Sequence, residues 1–199
     1  MGNIQLSDKN NSNKKYQWTF VFVGNPSRGD DGIGPALFQK MDIWLDQQRA
    51  AQTSVLTNDI QLIDCFQLEP ELCCDIENST TLIVIDACTI DAANPWIETL
   101  SVSSQDTSVW THAMSPSSLL ALFKKVYKKP PPTAYLLHVP GKQFDLGAAL
   151  SQSTEKHLPN CISILQQCCL ATSPQGLQKI CLNNTADASH NNDKGFENA

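Results

Sequence analysis

Five short apolar runs punctuate the chain, at Thr19–Val23, Ile60–Ile63, Thr81–Ile85, Ile97–Val102 and Ala134–Val139, and each predicts a strand. The polar stretches between them carry a different period. Ala36–Leu45 places Leu37, Met41 and Trp44 or Leu45 at helical spacing. Pro116–Tyr127 does the same with Leu119, Leu120, Phe123 and Val126, and Thr154–Leu170 with Leu158, Ile162 and Leu165. A short helix over Glu69–Glu77 fits Pro70 in its first turn. Strands alternating with helices predict an α/β three-layer sandwich: a mostly parallel, twisted, five-stranded sheet with helices on both faces. The Ile97 run follows its predecessor too closely for a helical crossover, so the expectation there is an edge strand paired antiparallel.

Residues 1–16 and 173–199 are polar and rich in Asn, which predicts disordered ends around one α/β domain at 17–172. A length of 199 residues with 41% hydrophobic content supports one ordinary domain with its own core, and a monomer is the default expectation. The net charge of −6 gives no general attraction for nucleic acid or anionic lipid. Lys124, Lys125, Lys128 and Lys129 make a basic cluster that reads as the solvated end of a helix. No apolar run reaches the roughly 20 residues needed to cross a bilayer, and no secretory h-region opens the chain, so a cytoplasmic protein is expected. Eight cysteines without a C-x-x-C pair read mostly as buried thiols.

The chemistry gathers where strands end. After the first run the chain reads Val23-Gly-Asn-Pro-Ser-Arg-Gly-Asp-Asp-Gly-Ile-Gly-Pro35, a glycine-rich loop with two adjacent carboxylates, Asp30 and Asp31. In open α/β sheets ligands bind at the carboxyl edge, which makes both site candidates. The glycine spacing fits neither dinucleotide nor triphosphate loops, and two carboxylates repel a pyrophosphate. A helix cap accounts for one carboxylate and leaves the other over. Asp64 and Asp86 close the second and third runs, and Asp86 follows Leu-Ile-Val-Ile, where an ionised group is costly unless paired or metal-bound. His112, just before the helix that Ser115 or Ser117 would cap, supplies an imidazole. Asp31, Asp86 and His112 from three separate loops would make a divalent-metal site with open positions. His138 is a weaker candidate for the same cleft, and His157 and His190 read as surface or tail positions. No Ser-His-Asp or Cys-His signature accompanies these residues, and Cys88 reads as packing.

Gly24-Asn25-x-x-x-x-Asp30-Asp31-Gly32-Ile33-Gly34 resembles the N-terminal signature of the [NiFe]-hydrogenase maturation endopeptidases. Leu82-Ile-Val-Ile-Asp86-Ala87, Thr111-His112-Ala-Met and Val139-Pro-Gly-Lys-Gln-Phe144 through Ser151 are similar to its later segments, in order. The resemblance implies a peptidase that trims the C-terminal extension of a hydrogenase large-subunit precursor. It implies that Asp31, Asp86 and His112 carry metal binding and catalysis, with Asp30 a neighbour of the ligand set. The nickel would be supplied by the substrate, whose thiolates hold it, so no tightly bound cofactor is expected. Two other readings stand beside it: a non-cleaving nickel-site checkpoint, and an unrelated metal-dependent hydrolase. One departure is marked: where family members commonly read Asp-Gly-Gly-Thr, this chain reads Asp64-Cys65-Phe66-Gln67. That bulk points to altered specificity, since the three proposed ligands are untouched.

Overall fold

The computed structural model describes residues 15–52, 59–102, 114–170 and 180. Its strands are β1 (Tyr16–Val23), β2 (Ile60–Cys65), β3 (Ser79–Cys88), β4 (Trp96–Leu100) and β5 (Thr133–Pro140). Its helices are α1 (Ile33–Ala50), α2 (Leu72–Asp75), α3 (Pro116–Tyr127), α4 (Gln152–Glu155) and α5 (Leu158–Leu170), with a 3-10 turn at Gly29–Gly32 ahead of α1. The strands form one sheet in the order β2-β1-β3-β5-β4. β1 pairs in parallel with β2 and β3, and β3 with β5. β4 lies at the edge, antiparallel to β5. The predicted fold is therefore present, with its antiparallel edge strand. Only residues 89–95 separate β3 from β4, too few for a crossover, so β4 runs back, and β5 fills the place between them.

Alternation along the strands sorts the core into two layers. Phe20, Phe22, Ile83, Ile85, Leu137 and Val139 face α1 and α5. Val21, Val23, Leu82, Val84, Leu136 and Ala134 face α2 and α3, where Leu119, Leu120 and Phe123 close the second layer. Burial on both faces explains why the central strands read as continuous apolar runs. α3 starts with Ser115 accepting a hydrogen bond from Ser118 N and stops at Lys128, whose left-handed φ of 54° ends the helix. Lys129 Nζ then donates to the Glu77 carbonyl at 3.0 Å, so the basic cluster does end a helix and one of its lysines is tied down.

Some helices differ from their expected extents. α1 is longer at both ends than the predicted Ala36–Leu45, and Pro35 is its third residue. The helix expected over Thr154–Leu170 is broken at Lys156–His157: Ser151 caps a one-turn α4, and α5 then starts afresh. The short helix after β2 is reduced to Leu72–Asp75. The predicted disordered ends lie almost wholly outside the described residues, as do His112, His190 and Cys181. Among the described residues no helix is long and apolar enough to cross a membrane.

Candidate functional site

The loop after β1 turns sharply because two glycines let backbone pack on backbone. A Cβ at Gly24, whose φ is +143°, would stand 1.9 Å from the Asp31 carbonyl oxygen, and one at Gly34 would stand 2.1 Å from that of Val23. The turn is thereby pressed against the end of β1. Asn25 N donates to Asp31 Oδ2 at 2.9 Å, which orients the carboxylate, and the side chain stays partly exposed.

β3 supplies the second carboxylate. Phe22 registers with Ile85, so Asp86 stands one row beyond, beside Val23 and Cys65 at the carboxyl edge. By alternation Asp86 shares the face of Val84, the one covered by α3. Burial, then the negative charge of Asp31, pushes its carboxyl up to about 7, against a hydrogen bond from Ala87 N that favours the ionised form. The structure thus brings Asp31 and Asp86 together, and near neutrality Asp86 holds a proton for much of the time. α3 runs from this edge back toward the start of β5, since only residues 128–132 join the two. Its N-cap, Ser115, therefore stands on the Asp86 face at the carboxyl edge.

The other candidates separate. Asp30 is fully buried and turns away from the pair. Its Oδ2 accepts from Lys142 N at 2.7 Å, Gln143 N at 2.9 Å and Ser151 Oγ at 2.9 Å, and its Oδ1 from Ser151 N at 2.7 Å. Burial would raise its carboxyl, but these donors outweigh it and hold the group at about 2. Neither Asp30 nor Asp31 caps α1, whose N-cap is Gly32 with no side-chain bond. Helix capping, which appeared able to use one carboxylate, uses none. Asp64 is exposed and points to the α1 face. His138 registers with Asp86, but its ring stacks on Trp96 at 4.6 Å and its Nε2 lies 3.0 Å from Glu98 Oε1, so the imidazole is engaged toward β4. His157, expected at the surface, is half-buried, and burial lowers its pKa.

Cys65 is the neighbour that sequence reasoning treated only as a departure. It lies two strands from Asp86 in the same row, on the same face. Burial, then the charges of Asp64, Asp86 and Glu69, pushes its thiol up to about 12, so it is protonated at neutral pH. Cys88, two residues beyond Asp86, is likewise raised, chiefly by burial. The signal for this placement was the alternation of β2 and β3. Among the described residues no three His, Cys, Asp or Glu side chains are placed to hold a metal ion.

No protein-family model matches the chain, and neither does any curated protein. Solved structures do. The hydrogenase maturating endopeptidase HybD from E. coli is similar with a TM-score of 0.55 and 17% identity, over 75% of this chain and 89% of that one. The [NiFe] hydrogenase maturation protease HycI from Thermococcus kodakarensis has a TM-score of 0.55 and 13% identity, over 83% and 95%. The hydrogenase 2 maturation peptidase from a Thaumarchaeota archaeon has a TM-score of 0.52 and 18% identity, over 78% and 97%. The chain has the fold of the hydrogenase maturation endopeptidases.

Proposed function

We propose that this chain is a cytoplasmic endopeptidase that removes the C-terminal extension of a [NiFe]-hydrogenase large-subunit precursor once nickel is in place. One observation carries the reading: Asp31 and Asp86 both stand at the carboxyl edge of this fold, where burial and then the charge of Asp31 raise the Asp86 carboxyl. Two carboxylates so placed are suited to a cation, whose charge would favour the ionised form of Asp86.

In this reading the nickel arrives as part of the substrate, held by its thiolates. Oxygens of Asp31 and Asp86 and a nitrogen of His112 take its open positions, which sets the scissile bond in the site. His112 lies outside the described residues; its claim rests on standing three positions before Ser115, whose place on the Asp86 face is fixed by α3. Recognition through the substrate's metal gives selectivity for the loaded precursor without a tight metal site in the protease.

The deciding experiment is the intact mass of the precursor after incubation with this protein, nickel-loaded and nickel-free side by side. Loss of a C-terminal peptide from the loaded form alone is expected. A loaded precursor that binds but keeps its mass would replace the reading with a second one, a checkpoint that does not cut. The bulk of Cys65 and Phe66, the latter 69% exposed just past the end of β2, is what favours that alternative.

A further inference from the structure

We propose that Asp30 is a positioning residue: its carboxylate latches the 141–151 segment onto the Gly29–Gly32 turn and so holds Asp31 opposite Asp86. The segment touches the supports of both candidate carboxylates. At its start Gly141 N donates to the Cys88 carbonyl at 2.8 Å, two residues past Asp86 on β3. Farther along, Asp30 N donates to the Gln143 carbonyl at 2.7 Å, Gly147 N to that of Ser27 at 2.7 Å, and Gly29 N to that of Ala148 at 3.1 Å. The strap therefore spans from the strand that carries Asp86 to the turn that carries Asp31.

Asp30 is the lock on that strap. Four donors from three residues of the segment converge on its two oxygens, and the group has no exposed surface. The contact is also close-packed. A Cβ at Gly29 would stand 2.3 Å from the Gln143 carbonyl oxygen, and one at Gly141 would stand 2.9 Å from Asp30 Cβ. Ser151 completes the arrangement, because the hydroxyl that donates to Asp30 also caps α4 through Thr154 N. On the opposite side the turn rests on Gly24 and on the Asn25 N bond to Asp31. Held from both sides, the turn leaves Asp31 little freedom. The two adjacent carboxylates thus divide the work, one oriented toward the site and one fastening its own loop.

The catalytic part of the test rests on the proposed function; the structural part does not. Asp30→Asn keeps the size but replaces one acceptor oxygen by a donor that opposes the segment's N–H groups. Hydrogen exchange should rise in 142–151 and also in 24–32, while β3 amides stay protected. For the folded protein, kcat for precursor cleavage should fall by about tenfold or more with KM nearly constant, as a displaced catalytic group predicts. Ser151→Ala, which removes only the hydroxyl donor, should do the same more weakly, and it keeps the test open if Asp30→Asn does not fold. Protection of 24–32 unchanged while 142–151 opens would overturn the proposal, as would an unaltered kcat per folded molecule. Should the wild type fail to cut any precursor, the functional reading falls, and the exchange data alone still decide whether Asp30 ties the segment to the Asp31 turn.

Discussion

Replacing Asp86 by Asn should make the protein's stability less dependent on pH while removing the proposed peptidase activity. In the unfolded chain Asp86 titrates near its ordinary value of 3.8, and in the fold it titrates at about 7. Between those values the folded state binds more protons than the unfolded one, so stability falls as pH rises. The slope approaches about 1.4 kcal/mol per pH unit and flattens once Asp86 is ionised in both states. From pH 5 to pH 8 the loss is therefore about 2–3 kcal/mol, an upper bound because part of the side chain remains in contact with water. Asn carries no charge to bury, so urea unfolding of the variant and the wild type at pH 5, 6.5 and 8 should show a gap that moves in the variant's favour by that amount. High salt should trim the share due to Asp31 and leave the larger share due to burial. Parallel pH curves for the two proteins would refute the reasoning, because Asp86 would then be no more protonated in the fold than out of it.

Asp31→Asn should lower the Asp86 titration without returning it to 3.8, since burial is the larger cause; carbon-13 NMR of the carboxyl groups reads this directly. Gly34→Ala should destabilise the fold by about 2–3 kcal/mol in urea or thermal unfolding, since the new methyl collides with the Val23 carbonyl and neither backbone has room to yield. Cys65 and Cys161, both with thiols pushed up to about 12, should resist iodoacetamide at pH 8 in the native protein and react once it is denatured, as mass spectrometry would show. Phe66→Gly should change which precursors are accepted, with a stability change within about 0.5 kcal/mol because the ring is largely exposed.

Period and placement along the chain were enough to read the sheet, because its central strands are buried on both faces and turn residues bound the runs. The same local reading put Asp31 and Asp86 at one edge, since the end of a parallel strand fixes where the next residue lies. Features set by distant partners were not legible. Asp30 meets donors 112 to 121 residues away in the chain, and no local pattern distinguishes a buried carboxylate with four such donors from one free to cap a helix. Ser151 sets the start of α4 by serving the Asp30 contact and the α4 cap together, and the helical period of Thr154–Leu170 runs on across the break at Lys156–His157 without revealing it. His138 reads as a free imidazole at a strand end until β4 brings Trp96 and Glu98 against it.

The same edge now explains why the Asp64-Cys65-Phe66 departure spares the carboxylate pair. Alternation sends the Asp64 side chain to the α1 face and the Cys65 side chain to the α3 face, while Phe66 leaves the strand altogether and stands in solvent. Cys65 is the one of the three whose side chain shares the Asp86 face, and β1 lies between them. A protonated thiol there adds bulk and no charge, so it leaves the electrostatics of Asp31 and Asp86 intact while narrowing the approach from the β2 side. Any substrate chain entering from that side meets Phe66 first. Under the proposed function, selectivity among precursors would therefore lie with the β2 end of the edge and the response to a cation with the β1 and β3 ends, so separate substitutions should alter the two.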